Sequence, residues 1–230
     1  MAGGVFDLDT YVIARPMKFG LNLPYDCYDK DGNRLFEVKR KLIGGQYLLV
    51  DASGATIGVL HRKMMAVTPT YEFYDGSNNL LGRASKDMQI INLQGAKFSL
   101  FGSDGNKLAA AALNFPLLAL MEGKLENLGY DITTPDESVS LAKIAILFPG
   151  MGYSNNAIDA GIAMQNSRFV LQITDKRIST LMLLEFAIAV DHLFHSSAGP
   201  GVVNFGPVGG TGFGNPGFGG PGGGGISFKL

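Results

Sequence analysis

Cysteine is nearly absent from this chain of 230 residues: Cys27 stands alone, so no internal disulfide can form. That fits a reducing compartment. Excess charge is absent too. The net charge is −1, which excludes a global pull towards nucleic acid or acidic membranes and leaves such binding to a local basic patch. The opening residues Met1 to Asp9 carry neither a basic region nor an apolar run, so no secretory signal is expected, and Ala2 stands where N-myristoylation needs glycine. The longest apolar run, 181–190, falls short of the roughly 20 residues that span a bilayer. No nucleophile elbow, Walker loop, dinucleotide fingerprint or zinc-ligand spacing appears. The Gly209-Gly-Thr-Gly-Phe-Gly stretch lies in low-complexity sequence without a strand before it or a helix after it, so it is not read as a phosphate cradle. An enzyme, a cofactor or a metal is therefore not expected.

What is present is a repeat. Tyr25-Asp-Cys-Tyr-Asp29, Tyr47-Leu-Leu-Val-Asp51, Tyr71-Glu-Phe-Tyr-Asp75 and Phe98-Ser-Leu-Phe-Gly102 each lead into a short turn-forming stretch and then a second apolar-alternating segment. A looser copy starts at Tyr130 and resumes at Val139. Each unit reads as a β-hairpin, with Asp, Asn and Gly supplying the turn because they bond locally or tolerate positive φ. Alternation within the units fits half-buried antiparallel strands: Phe36 and Val38 share one face, Glu37, Lys39 and Lys41 the other. Five hairpins, an opening strand at 10–13 and a late strand at 168–174 make twelve strands. Twelve strands can close into a barrel, which removes exposed edges.

The run Leu181-Met-Leu-Leu-Glu-Phe-Ala-Ile-Ala-Val190 is apolar on every side of a helix. A surface helix keeps a polar face. This one needs apolar surroundings all round, and a barrel of twelve strands has a lumen to fill. The fold predicted is a mainly β, twelve-stranded closed antiparallel barrel around a central C-terminal helix at about 179–194, with Asp175 or Ser179 capping the helix start. Residues 1–195 form that domain. Residues 196–230, rich in Gly and Pro, form a flexible low-complexity tail. Residues 149–167 read as a long loop before the last strand.

Taken together, Tyr11-Val-Ile-Ala-Arg-Pro16, Tyr28-Asp-Lys-Asp-Gly-Asn-Arg-Leu-Phe-Glu-Val-Lys-Arg-Lys41, the aromatic hairpins and the ending Ala187-Ile-Ala-Val-Asp-His-Leu193 resemble the LURP-one-related family, kin of the Tubby C-terminal domain and the phospholipid scramblases. The resemblance covers roughly residues 7–195. It implies the same twelve-stranded barrel threaded by its C-terminal helix. It also implies a non-enzymatic module at a membrane surface, with an anionic phospholipid or phosphoinositide as ligand, or a protein-interaction scaffold. The cysteine cluster that scramblases use for palmitoylation is missing.

The candidate site follows from charge. Arg34, Lys39, Arg40, Lys41, Arg62 and Lys63 form the densest basic group, and ammonium or guanidinium groups on one strand face can hold phosphate oxygens. The competing reading is a solvated outer face. Asp29-Lys-Asp31-Gly32-Asn33 resembles the front of a calcium loop, but the closing acid of an EF-hand would fall at Arg40, and a hairpin turn accounts for the same residues. His192 and His195 share a helix face without a clear third ligand. Glu185, inside the apolar helix, must be paired or protonated. The expected localisation is cytoplasmic or peripheral to a membrane. The alternative function is a self-assembling structural subunit, a homo-oligomer joined through the tail 196–230.

Overall fold

The computed structural model describes residues 4–16, 25–41, 45–63, 68–87, 97–114, 129–147 and 166–196. The tail from 197 onward, most of the 149–167 stretch and the side chains of His192 and His195 lie outside the described residues. Twelve strands follow in order: β1 (Thr10–Pro16), β2 (Tyr25–Tyr28), β3 (Arg34–Arg40), β4 (Gln46–Asp51), β5 (Thr56–Lys63), β6 (Thr70–Asp75), β7 (Leu80–Lys86), β8 (Lys97–Gly102), β9 (Lys107–Asn114), β10 (Gly129–Thr133), β11 (Ser140–Leu147) and β12 (Asn166–Ile173). One helix, α1 (Thr180–Ser196), closes the described chain.

Each strand pairs antiparallel with its sequence neighbours, and β1 pairs with β12 to close the barrel. Closure leaves no free edge. Five short hairpin turns gather at one end. The first three share a device. The Asp29, Asp51 and Asp75 carboxylates each accept two backbone N–H bonds, from residues two and four further on, at 2.8–2.9 Å. Each turn then needs a residue at positive φ: Gly32 at 86°, Gly54 at 87° and, where no glycine is present, Asn78 at 66°. Asn tolerates this region better than most residues do. The looser fifth unit puts Glu137 there, at 61°, its carboxylate paired with Lys97.

Alternate strand residues point into the lumen. Tyr11, Ile13, Phe36, Val38, Leu49, Leu60, Phe73, Leu100, Ile132, Ile144 and Leu171 are all 0–2 % exposed. α1 fills the space they enclose, packed on β5, β6, β7 and β12. From Leu181 to Val190 no residue exceeds 7 % exposure, which accounts for its lack of a polar face. Burying one large apolar side chain contributes roughly 1.5–3 kcal/mol, so this helix is a major share of the core. Phe186 meets the rings of Phe98 on β8 and Tyr130 on β10 edge-on, with centroids 5.7 and 6.3 Å away.

Of the two residues expected at the helix start, Ser179 holds the position. The Asp175 carboxylate is committed to Arg177, accepting from its backbone N at 3.0 Å and its Nε at 2.9 Å. Ser179 takes the capping position, its carbonyl accepting from Leu183 N at 3.1 Å. Among the described residues no helix is long and apolar enough to cross a membrane.

Candidate anion-binding site

Register decides what becomes of the six basic residues. On the outer face of β2 and β3, Arg34 donates to Asp26 at 2.7 Å and to Glu37 at 2.9 Å, and Lys39 also pairs with Glu37. The Lys39 ammonium, helped by the Arg34 guanidinium, holds the Glu37 carboxyl below its usual range despite the opposing effect of burial. On β5, Lys63 pairs with Glu72 of β6 at 2.6 Å, and Tyr74 donates to the same carboxylate at 3.0 Å. Exposed pairs of this kind add little stability, under about 1 kcal/mol each. They do occupy the charges. Three of the six cations are thus matched by acids on neighbouring positions.

The other three gather at the end of the barrel opposite the short turns. Arg40 is in phase with the inward-facing Phe36 and Val38, and Arg62 with Leu60. Both flank Tyr47 on β4, which sits opposite Arg40 on one side and Leu60 on the other. The Arg40 guanidinium lies over the Tyr47 ring, 5.9 Å from its centroid. Arg62 is opposite Tyr71. Burial raises the Tyr71 phenol well above its ordinary pKa, and the Arg62 charge opposes that rise. Lys41 follows Arg40, its backbone N donating to Gln46 O at 2.9 Å, while Arg62 N donates to Gly45 O at 3.0 Å. These two bonds fix the ends of β3, β4 and β5 together. Lys41 and Arg62 make no ion pair among the described residues. The arrangement is two guanidinium groups beside aromatic rings at a barrel rim, with Lys41 next to them in the chain. Guanidinium supplies forked donors and ammonium a point charge, which suits a phosphate or carboxylate.

The remaining candidates resolve differently. The Asp29 carboxylate is used by Asp31 N, Asn33 N and the Asn33 side chain, which is the hairpin reading. Among the described residues no group of three His, Cys, Asp or Glu side chains is placed to hold a metal. Cys27 is fully buried, and burial pushes its thiol well above the usual pKa. Glu185 is buried completely, neither oxygen has a hydrogen-bond partner, and burial raises its pKa from 4.5 to about 9.

Sequence reasoning missed two features. The Glu37–Lys39 pairing was visible in the alternation that put both on one face. The Glu72–Lys63 pairing depends on the β5–β6 register and carried no local signal.

The family described as LURP-one-related matches residues 11–148, from the first strand to the end of β11. A crystal structure of a protein from Arabidopsis thaliana is similar, at 15% identity over 83% of this chain and 99% of that one, with a TM-score of 0.48. A search of curated proteins found no match. A match over more than half of its length means that the chain belongs to the LURP-one-related family.

Proposed function

We propose that this protein is a non-enzymatic binding module that takes the phosphate of an anionic phospholipid headgroup, phosphoinositides included, at a membrane surface. The observation that supports it is the sorting of charge on the barrel. Arg34, Lys39 and Lys63 face acids, whereas Lys41 and Arg62 meet none among the described residues and lie with Arg40 at one rim. At Lys41 and Arg62 a phosphate gains charge-assisted hydrogen bonds, each stabilising by roughly 1.5–3 kcal/mol, without first breaking an ion pair among the described residues. The buried rings of Tyr47 and Tyr71 lie beside Arg40 and Arg62.

The test is sedimentation with phosphatidylcholine vesicles, with and without an anionic phospholipid. The wild-type chain is expected to bind only the anionic vesicles, less tightly as salt rises. Lys41→Glu and Arg62→Glu should each weaken binding about tenfold or more. Lys39→Glu should change it far less, because Glu37 already holds that ammonium. Equal losses at Lys39 and Lys41, or binding indifferent to lipid charge, would contradict the reading.

A further inference from the structure

The one ionisable side chain in the described buried stretch of α1 is placed where water cannot reach it and nothing pairs with it. Glu185 is 0 % exposed and both its oxygens lack hydrogen-bond partners. The wall opposite has been cut away to receive it. A Cβ at Gly58 of β5 would stand 2.8 Å from Glu185 Oε1 and 2.8 Å from Leu181 Cδ1. The notch therefore holds the carboxyl and Leu181 in van der Waals contact, with no room for water between them and the β5 backbone. A carboxylate sealed in this way is strongly disfavoured relative to the acid.

Among the described residues no charged group nearby relieves it. On β5 the inward residues are Gly58 and Leu60, with Arg62 at the far end beside Tyr71. On β6 they are Tyr71 and Phe73, and Asp75 closes the strand. On β7 they are Gly82 and Ala84, with Lys86 at the far end, and on β12 Phe169, Leu171 and Ile173. Asp75 is the charged group that acts on Glu185, and it opposes ionisation. Its own carboxylate is kept ionised by Asn79 and the turn amides, so the repulsion persists. The Val59 and Tyr74 backbones favour the ionised form, yet neither reaches hydrogen-bonding geometry. Glu185 also lies in the second turn of α1, at the short-turn end of the barrel, so a small outward movement of the helix start would hydrate it.

We propose that Glu185 is a proton-operated latch on the start of the plug helix: protonated, it seats in the Gly58 notch, and ionised, it lifts residues 180–186 away from β5 and β6 and opens that end of the lumen. The opening is local. It involves the first two turns of α1 and leaves the strand pairing intact. The latch is independent of the anion site, which lies at the opposite rim.

Amide hydrogen exchange on the full chain, as protection factors corrected for the intrinsic pH effect, tests this. Between about pH 6 and pH 9, protection of the amides of residues 183–187 should fall about tenfold per pH unit. It should also stay below that of buried strand amides in β1 and β12 throughout, and in Glu185→Gln it should be flat with pH. Equal protection of helix and strands at every pH would overturn the latch, since the opening would then be global. So would an identical pH slope in Glu185→Gln. Should that variant fail to fold, the carboxyl carbon shift of Glu185 in the wild-type chain serves instead. A protonated signal at neutral pH supports the latch and an ionised one overturns it.

Discussion

Phe186→Ala should destabilise the protein by about 3–5 kcal/mol in urea unfolding, with the urea dependence unchanged. The ring is 1 % exposed and touches Phe98 and Tyr130, which belong to strands separated by β9. Those three rings make mutual edge-on contacts, with Phe98 and Tyr130 themselves 5.9 Å apart. Removing the central ring leaves a cavity that no single strand can close, because the barrel wall is fixed by hydrogen bonds all the way round. A loss of that size is a large part of the roughly 5–15 kcal/mol by which domains are stable. Phe101→Ala is the contrast. Phe101 lies on the outer face with the Arg83 guanidinium 5.0 Å above its ring, half-exposed, and its loss should cost about 1 kcal/mol or less. Equal costs at the two positions would mean that the helix is not the core.

Stability should fall as pH rises through neutrality, and Glu185 should be the reason. Its pKa is 4.5 when exposed and about 9 in the folded protein. The native state therefore holds a proton that the unfolded state releases. Its contribution is complete below 4.5, declines between 4.5 and about 9, and is gone above that. The slope in that window is about 1.4 kcal/mol per pH unit. Other groups titrate as well, so the difference from Glu185→Gln isolates the effect. That difference should move in favour of the Gln variant at this slope up to about pH 9, then level off. Parallel pH profiles for the two proteins would show that the carboxyl is ionised or hydrated in the native state.

Much of the fold could be read from local sequence because the hairpins are locally encoded. An aromatic strand opening, an Asp that binds two amides and a residue able to adopt positive φ recur in the first three units. Tyr25, Tyr47 and Tyr71 mark them plainly. The all-apolar run at 181–190 required an enclosure, and twelve strands supplied one. What was not readable depends on register. Lys63 meets Glu72 only because β5 and β6 pair as they do, and the notch at Gly58 has meaning only opposite Glu185. Helix capping was a choice between Asp175 and Ser179, decided by the Arg177 amide and side chain that draw the Asp175 carboxylate away. In the candidate site, composition identified six cations but not their pairing. Register decides that pairing for Arg34, Lys39 and Lys63, which meet Glu37 and Glu72.

The most direct test is the placement of one side chain. Nuclear Overhauser contacts from the Phe186 ring should reach both the Phe98 ring on β8 and the Tyr130 ring on β10, as a helix packed on the inward-facing side chains requires. A Phe186 ring with contacts to neither, on a helix whose amides at 183–190 exchange freely with solvent, would contradict the account.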